Sequence, residues 1–260
     1  LDYLSWTTEK WSENAFNGIL LRGDGSLVEN NQLFGVYNGI ETLGDNSSVI
    51  GNKVSGFNGD ALRGLGDSNL FRFNYVADCV VTDNNHDDGF QSWVGSSGVI
   101  KDLTIDANII LEWTGPVSHP LRCKLQGIGL FDGIYENLTI TNNIVSANQY
   151  HGISVYGARG AKILHNTVVN SLGLATGLPY LAIRPDRDGT PSTHVLIANN
   201  VAMSFQGSAS VVDNVTFIAN SVVGVPGLVF ENPAAFDYRP KASSGFIDTG
   251  DTTVAPATDV

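Results

Sequence analysis

The chain has 260 residues, enough for one large domain, with 29 glycines, only 15% charged residues and a formal net charge of −12. That charge argues against nucleic acid as a partner, since a phosphate backbone is met by clustered Lys and Arg. No run approaches the roughly 18 apolar residues of a membrane helix, so membrane insertion is not expected.

Residues 1–16 carry Trp6 and Trp11 and are expected to cap the open end of the repetitive region that begins at residue 17, because an uncovered strand would leave a sticky edge. With no initiator Met and no charged-then-apolar leader, the segment reads as a mature or truncated product. From residue 17 to about 230 an asparagine returns in one frame before a short β-branched run: Asn31, Asn52, Asn74, Asn108, Asn143, Asn166, Asn200 and Asn220. The intervals are 21, 22, 34, 35, 23, 34 and 20 residues. A basic period of 21–23 with insertions marks a coil of stacked turns. The repeating amide suits an inward corner where stacked side chains bond along the column.

Each turn holds a second readable strand led by a glycine, as in "NGILLRG" from Asn17, "DDGFQSWVG" from Asp87, "LQGIGLFDG" from Leu125 and "YHGISVYGARG" from Tyr150. Ile128 and Leu130, then Ile153 and Val155, alternate with the period of strands that bury one face. Repeats this short cannot hold a helical crossover. The expected fold is therefore all-β, a right-handed parallel β-helix of about eight turns, forming a single domain over 1–260. Residues 231–260 are read as a closing strand and tail.

Three intervals exceed the period, and their extra residues all precede the glycine-led strand: "VADCVVTDNNH", "EWTGPVSHPLRCK" and "SLGLATGLP". Long loops on one edge wall a binding cleft. Aligning the strands beside them stacks Asp60, Asp88, Gln126 and His151 in one column, adjacent turns about 4.8 Å apart. One position earlier lie Asp87 and Tyr150; one earlier again, His86 and Lys124; three positions later, Arg63 and Gln91. His119, Arg122, Arg184, Asp186 and Arg187 can reach in from loops. Several ionisable types beside long loops make a candidate site. Trp93 and Trp113 are candidate sugar platforms, with Trp93 equally in phase for the core. His165 reads as a corner residue. Cys79 and Cys123 lack metal-ligand spacing and are expected as buried free thiols, a disulfide being the alternative.

Two chemistries fit this edge. In β-elimination on a uronic-acid glycan, a cation or an Arg or Gln side chain neutralises the sugar carboxylate and a base removes the C5 proton. Asp60, Asp87 and Asp88 would hold Ca²⁺, Lys124 or His151 would be the base, and Arg122 would stabilise the enolate-like charge. Arg63, Gln91, Gln126, Tyr150, Arg184 and His86 would bind substrate. In hydrolysis, Asp88 and Asp60 or Asp87 would serve as acid and water-activating base, with His151 tuning the acid.

The whole chain resembles the right-handed parallel β-helix superfamily of pectate lyases, polygalacturonases, alginate-type lyases and epimerases, and phage tailspikes. The ending "ENPAAFDYRPKASSGFIDTG" is similar to the strand-closing tail of secreted polysaccharide-active members. "NNHDDGFQSW" resembles the Asp-Asp-Gly turn of family 9 pectate lyases, which implies calcium on Asp87 and Asp88 and a base at Lys124; Gln91 stands where a further carboxylate belongs. "YHGISVYG" resembles the His-Gly strand of polygalacturonases, without their Arg-x-Lys motif, and "YHGISV" that of mannuronan epimerases, without their Asp-Pro-His-Glu motif. The resemblance implies a polysaccharide partner, an extracellular, periplasmic or virion-surface location, and a monomer or homotrimer. A non-catalytic carbohydrate-binding or tailspike-type stalk is the competing class.

Overall fold

The computed structural model describes residues 2–95, 98–170, 172, 177–207 and 212–254. Three parallel sheets run the length of a coil. The first sheet stacks the glycine-led strands Ile19–Leu21, Ile40–Thr42, Leu62–Gly64, Asp88–Trp93, Gln126–Phe131, His151–Tyr156, Tyr180–Arg184 and Ser204–Gln206. The second holds strands such as Leu70–Arg72, Thr104–Asp106 and Thr139–Thr141; the third holds Gln32–Val36, Lys53–Phe57, Tyr75–Cys79, Ile109–Leu111, Ile144–Ala147 and their successors. The expected eight turns are present, since the first and third sheets have eight strands each. Inward side chains such as Phe57, Phe71, Phe90, Ile105, Leu125 and Tyr135 fill one continuous core.

The repeating asparagine sits at the corner between the second and third sheets. At every step the backbone N–H and the Nδ2 of one asparagine both donate to the Oδ1 of the next, at 2.9–3.1 Å, from Asn31 through to Asn220. The residue before each asparagine takes the left-handed conformation even where it is Phe73, Ala107 or His165, with φ of 54–56°. Such a conformation costs a non-glycine residue about 1–2 kcal/mol, which the doubled ladder bonds offset. His165 is thus the corner residue expected.

A second, shorter ladder occupies the corner that enters the first sheet. Asn38 donates to Asn17 Oδ1 at 3.0 Å, the Asp60 N–H to Asn38 Oδ1 at 3.0 Å, and the Asp88 N–H to Asp60 Oδ1 at 3.1 Å. The acids of the predicted column therefore continue a structural ladder as well as facing the loops.

Both terminal segments lie on the outer face of the third sheet, which corrects the expectation of an end cap. The short turn Tyr3–Ser5 and the helix Thr8–Asn14 run along this flank. Tyr3 Oη donates to Asp78 at 2.8 Å, and the Trp6 ring lies over Gly35, where a Cβ would come within 2.8 Å of it. Trp6 and Trp11 bury against Val80 and Trp113. From the other end, Phe230–Asn232 pairs antiparallel with Asp237–Pro240, and Phe230 and Tyr238 pack on Ala77, Leu111, Val169 and Met203. With the third sheet so covered, Gln91, Trp93, Phe131 and Tyr156 on the first sheet remain partly exposed.

The first two insertions, 80–87 and 112–125, both lie between a third-sheet strand and a first-sheet strand, on the predicted edge. Much of the third, at residues 171 and 173–176, lies outside the described residues. The end of the strand that leads into the first is joined to the second by a Cys79–Cys123 disulfide, so the expected free thiols are corrected. The sequence separation of 44 hid the pairing, because the two cysteines meet only through stacking of neighbouring turns.

Candidate functional site

The register places the predicted column as expected. Asp88 pairs with Gln126, Gln91 with Arg63 on one side and Gly129 on the other, and Gly129 with Ser154. A surface cleft of about 340 Å³ opens over these strands, lined by Asp60, Arg63, Asn85, His86, Gln91, Trp93, Phe131 and Asp132. It abuts a second cleft of about 400 Å³ that shares Trp93 and Asp132 and adds Asp186, Arg187 and Asp188. Trp93 is therefore a groove residue rather than core, and Arg63 stacks its guanidinium 5.2 Å from the Trp93 ring centroid.

Asp88 and His86 differ in what they present to the cleft. Asp88 is fully buried, while the side chain of His86, brought in by the first insertion, is 54% exposed and lines the cleft. His86 Nδ1 lies 3.0 Å from Asp88 Oδ2, which also accepts from Gln91 Nε2 at 3.4 Å. Burial pushes the Asp88 carboxyl up to about 6, with the bond to His86 opposing that rise. The same bond raises the His86 pKa, ahead of the opposing effect of burial. With Nδ1 committed to Asp88, Nε2 is left to the cleft. The carboxylate thereby orients the imidazole and stabilises its protonated form.

Asp60 bonds Arg63 at 2.7 Å; burial raises its pKa and Arg63 works against the rise. Asp87 is buried beside the disulfide, its Oδ2 3.4 Å from Cys79 Sγ. Burial, then the charges of Asp60, Asp83 and Asp88, push Asp87 up to about 8. This donor set does not fit the expected calcium. Asp60 is spent on Arg63 and the ladder, and Asp88 Oδ2 on His86 and Gln91, while Asp87 holds its proton near neutrality. A hard cation needs about six to eight oxygens. Only Asp87 Oδ1 and Asp88 Oδ1 are buried carboxylate oxygens without a partner among the described residues. Cys79, Asp87 and Cys123 do converge, but the disulfide removes both thiolates.

Two turns further along, His151 sits in a ring of aromatics. Its centroid is 4.3 Å from Tyr150, 5.2 Å from Phe131 and 5.4 Å from Tyr180. Its Nδ1 contacts Ser154 Oγ at 2.6 Å and Tyr180 Oη at 3.2 Å. Burial, then the charges of Arg184 and His86, lower its pKa to about 4, so it is neutral near pH 7. Tyr180, pushed above its ordinary value chiefly by burial, keeps its proton. Gln126 is buried between the two histidine-bearing turns, and Tyr150 is exposed at the rim.

Several predicted residues serve other ends. Arg122 does not face the column: its Nε and Nη2 bond the buried Glu112 Oε1 at 3.0 and 2.6 Å. Glu112 also accepts from the N–H groups of Leu125 and Asn148, so the pair pins the second insertion. His119 bonds the carbonyl of Leu4 at 2.9 Å, and Trp113 is buried in the N-terminal cluster, its Nε1 donating to Pro116. Asp186 accepts from the N–H groups of Asp188 and Thr190 in its own turn, and Arg187 pairs with Asp132. Lys124 is exposed, next to the disulfide at Cys123, and is not among the residues that line the cleft. Phe131 and Tyr156 were missed. Their signal was the two-residue step beyond Gly129 and Ser154, which puts them in the Trp93 column.

A family model described as right handed beta helix region matches residues 14–177. No curated protein and no solved structure matches the chain.

Proposed function

The chain belongs to the right-handed β-helix family, whose members include pectate lyases, hydrolases and binding proteins, and on that footing we propose that it cleaves an acidic polysaccharide by β-elimination. The observation that carries this reading is the His86–Asp88 pair, with the acid buried and the imidazole standing in a cleft floored by Trp93 and Phe131. His86 Nε2 takes the C5 proton of a uronic-acid unit. The C4–O4 bond breaks as the C4–C5 double bond forms, and the departing O4 is protonated by the imidazolium or by water. Negative charge developing on the sugar lies beside Arg63 and Gln91.

Hydrolysis is the second reading, favoured by the raised pKa of Asp88 on the turn next to Asp60. Against it, Asp88 is fully buried and Asp60 is bonded to Arg63. The test is incubation with a panel of uronic-acid polysaccharides, following the ultraviolet absorbance of the unsaturated product. New reducing ends without that chromophore would replace elimination by hydrolysis. Retained binding with no cleavage of any glycan would leave a carbohydrate-binding protein. The Cys79–Cys123 disulfide supports an oxidising location, extracellular or periplasmic.

A further inference from the structure

The outward residues of the first sheet, two register positions beyond the Gln91–Gly129–Ser154 line, form a column of their own. Trp93 pairs with Phe131, Tyr156 follows one turn on with its ring 5.1 Å from that of Phe131, and Tyr156 pairs with Arg184. Aromatic side chains thus follow one another on three successive turns of the sheet, all partly exposed, with the Phe131 and Tyr156 rings edge to face. Apolar aromatic surface repeated at a fixed rise suits the C–H faces of successive sugar rings, in the way aromatic side chains serve as amphipathic platforms elsewhere.

The two ends of the column differ in charge. At the Trp93 end, Arg63 already has carboxylate partners in Asp60 and Glu41. At the other end, Arg184 is exposed, lies 5.8 Å from the Tyr156 ring centroid, and bonds the side-chain carbonyl of Gln206. Among the described residues it has no carboxylate partner, in a chain whose net charge is −12. Arg63, Arg72, Arg122, Arg159, Arg187 and Arg239 are each met by an acid, whereas Arg184, like Arg22, is met by none among the described residues. A guanidinium oriented by an amide and an aromatic face, with its charge unmet, is suited to receive an oxyanion.

We propose that Trp93, Phe131 and Tyr156 are a linear track for an oligosaccharide running along the coil axis, with Arg184 binding a carboxylate or sulfate on the sugar at its far end. The span from Trp93 to Arg184 is three turns, about 14 Å, the length of a short oligosaccharide. The track rests on the reading that this face binds an acidic glycan, and adds where along it the charge is read. His86 opens at the Trp93 end, so the anion read by Arg184 belongs to a sugar several units from the bond that breaks.

The test is calorimetric titration of the His86→Ala variant, which removes turnover, with size-defined uronic-acid oligosaccharides. Arg184→Ala in that background is expected to weaken a tetrasaccharide by about 10- to 100-fold, the range of a charge-assisted bond. It should leave a disaccharide and a carboxyl-reduced tetrasaccharide unchanged, whereas Tyr156→Ala weakens charged and reduced tetrasaccharides alike. Sulfated and carboxylated tetrasaccharides distinguish the two anions. Equal affinity for charged and reduced forms, or no effect of Arg184→Ala, would overturn the subsite. If wild type binds as described yet yields no unsaturated product, the elimination reading fails and the track stands.

Discussion

Asp87→Asn is expected to stabilise the protein, and increasingly so as pH rises. The Asp87 side chain is 4% exposed, its Oδ1 has no partner among the described residues, and burial with three neighbouring acids pushes it from the ordinary 3.8 up to about 8. Between those values the folded protein holds a proton that the unfolded chain has already released. A group with a raised folded pKa contributes stability that is whole below its unfolded value and lost as pH rises through its folded value. At about 1.4 kcal/mol per pH unit, some three units of that window lie below pH 7, an upper figure of about 4 kcal/mol. Water reaching the loop would reduce the figure toward about 2 kcal/mol. The amide keeps the shape and removes the charge, so the variant should melt on the order of 10 °C above wild type near neutrality. The two curves should converge as pH falls toward 4. Scanning calorimetry over that range reads both the size and the sign. A difference that is flat with pH, or that grows toward acid, would refute the idea that Asp87 is a buried acid held protonated.

Three more outcomes rest on the same geometry. Asp88→Asn replaces the carboxylate that raises the His86 pKa by a neutral amide, so the rising acid limb of the pH–rate profile should move to lower pH while kcat falls; an unmoved limb would separate His86 from the proton transfer. Asn108→Ala deletes three ladder bonds and a bond to the Phe71 carbonyl and should cost about 3–5 kcal/mol, against about 1 kcal/mol for Asn31→Ala at the end of the ladder, where Oδ1 accepts nothing from a preceding turn among the described residues. Urea titrations in parallel compare the two, and equal costs would deny the ladder its role. Reducing Cys79–Cys123 releases a 44-residue loop and should lower stability by about 4 kcal/mol, with the cleft-forming insertions exchanging amide hydrogens first.

The architecture was legible because it repeats. A corner asparagine accepts from, and donates to, its counterpart one turn away, so each turn carries the local chemistry for its own stacking. The same ruler put Asp60, Asp88, Gln126 and Arg63, Gln91, Gly129, Ser154 in the right columns. It did not say which member of a column faces water. Asp88 turns inward as the last acid of a short ladder, and His86, two residues earlier in an insertion, swings over it.

The insertions have no repeat to serve as a guide, and their partners lie far along the chain. Arg122 reads as a free cation until Glu112 is seen buried beneath it. His119 reads as a cleft residue until Leu4, 115 positions away, takes its bond. Tyr3 reaches Asp78 across 75 residues, and the N-terminal segment becomes a flank strap instead of an end cap. Periodicity encodes contacts between equivalent positions of neighbouring turns, and those were readable from one sequence. Contacts between loops and termini depend on how the finished coil brings dissimilar segments together. That is why the columns could be read in advance, while the division between the buried acid and the exposed imidazole waited for the folded chain.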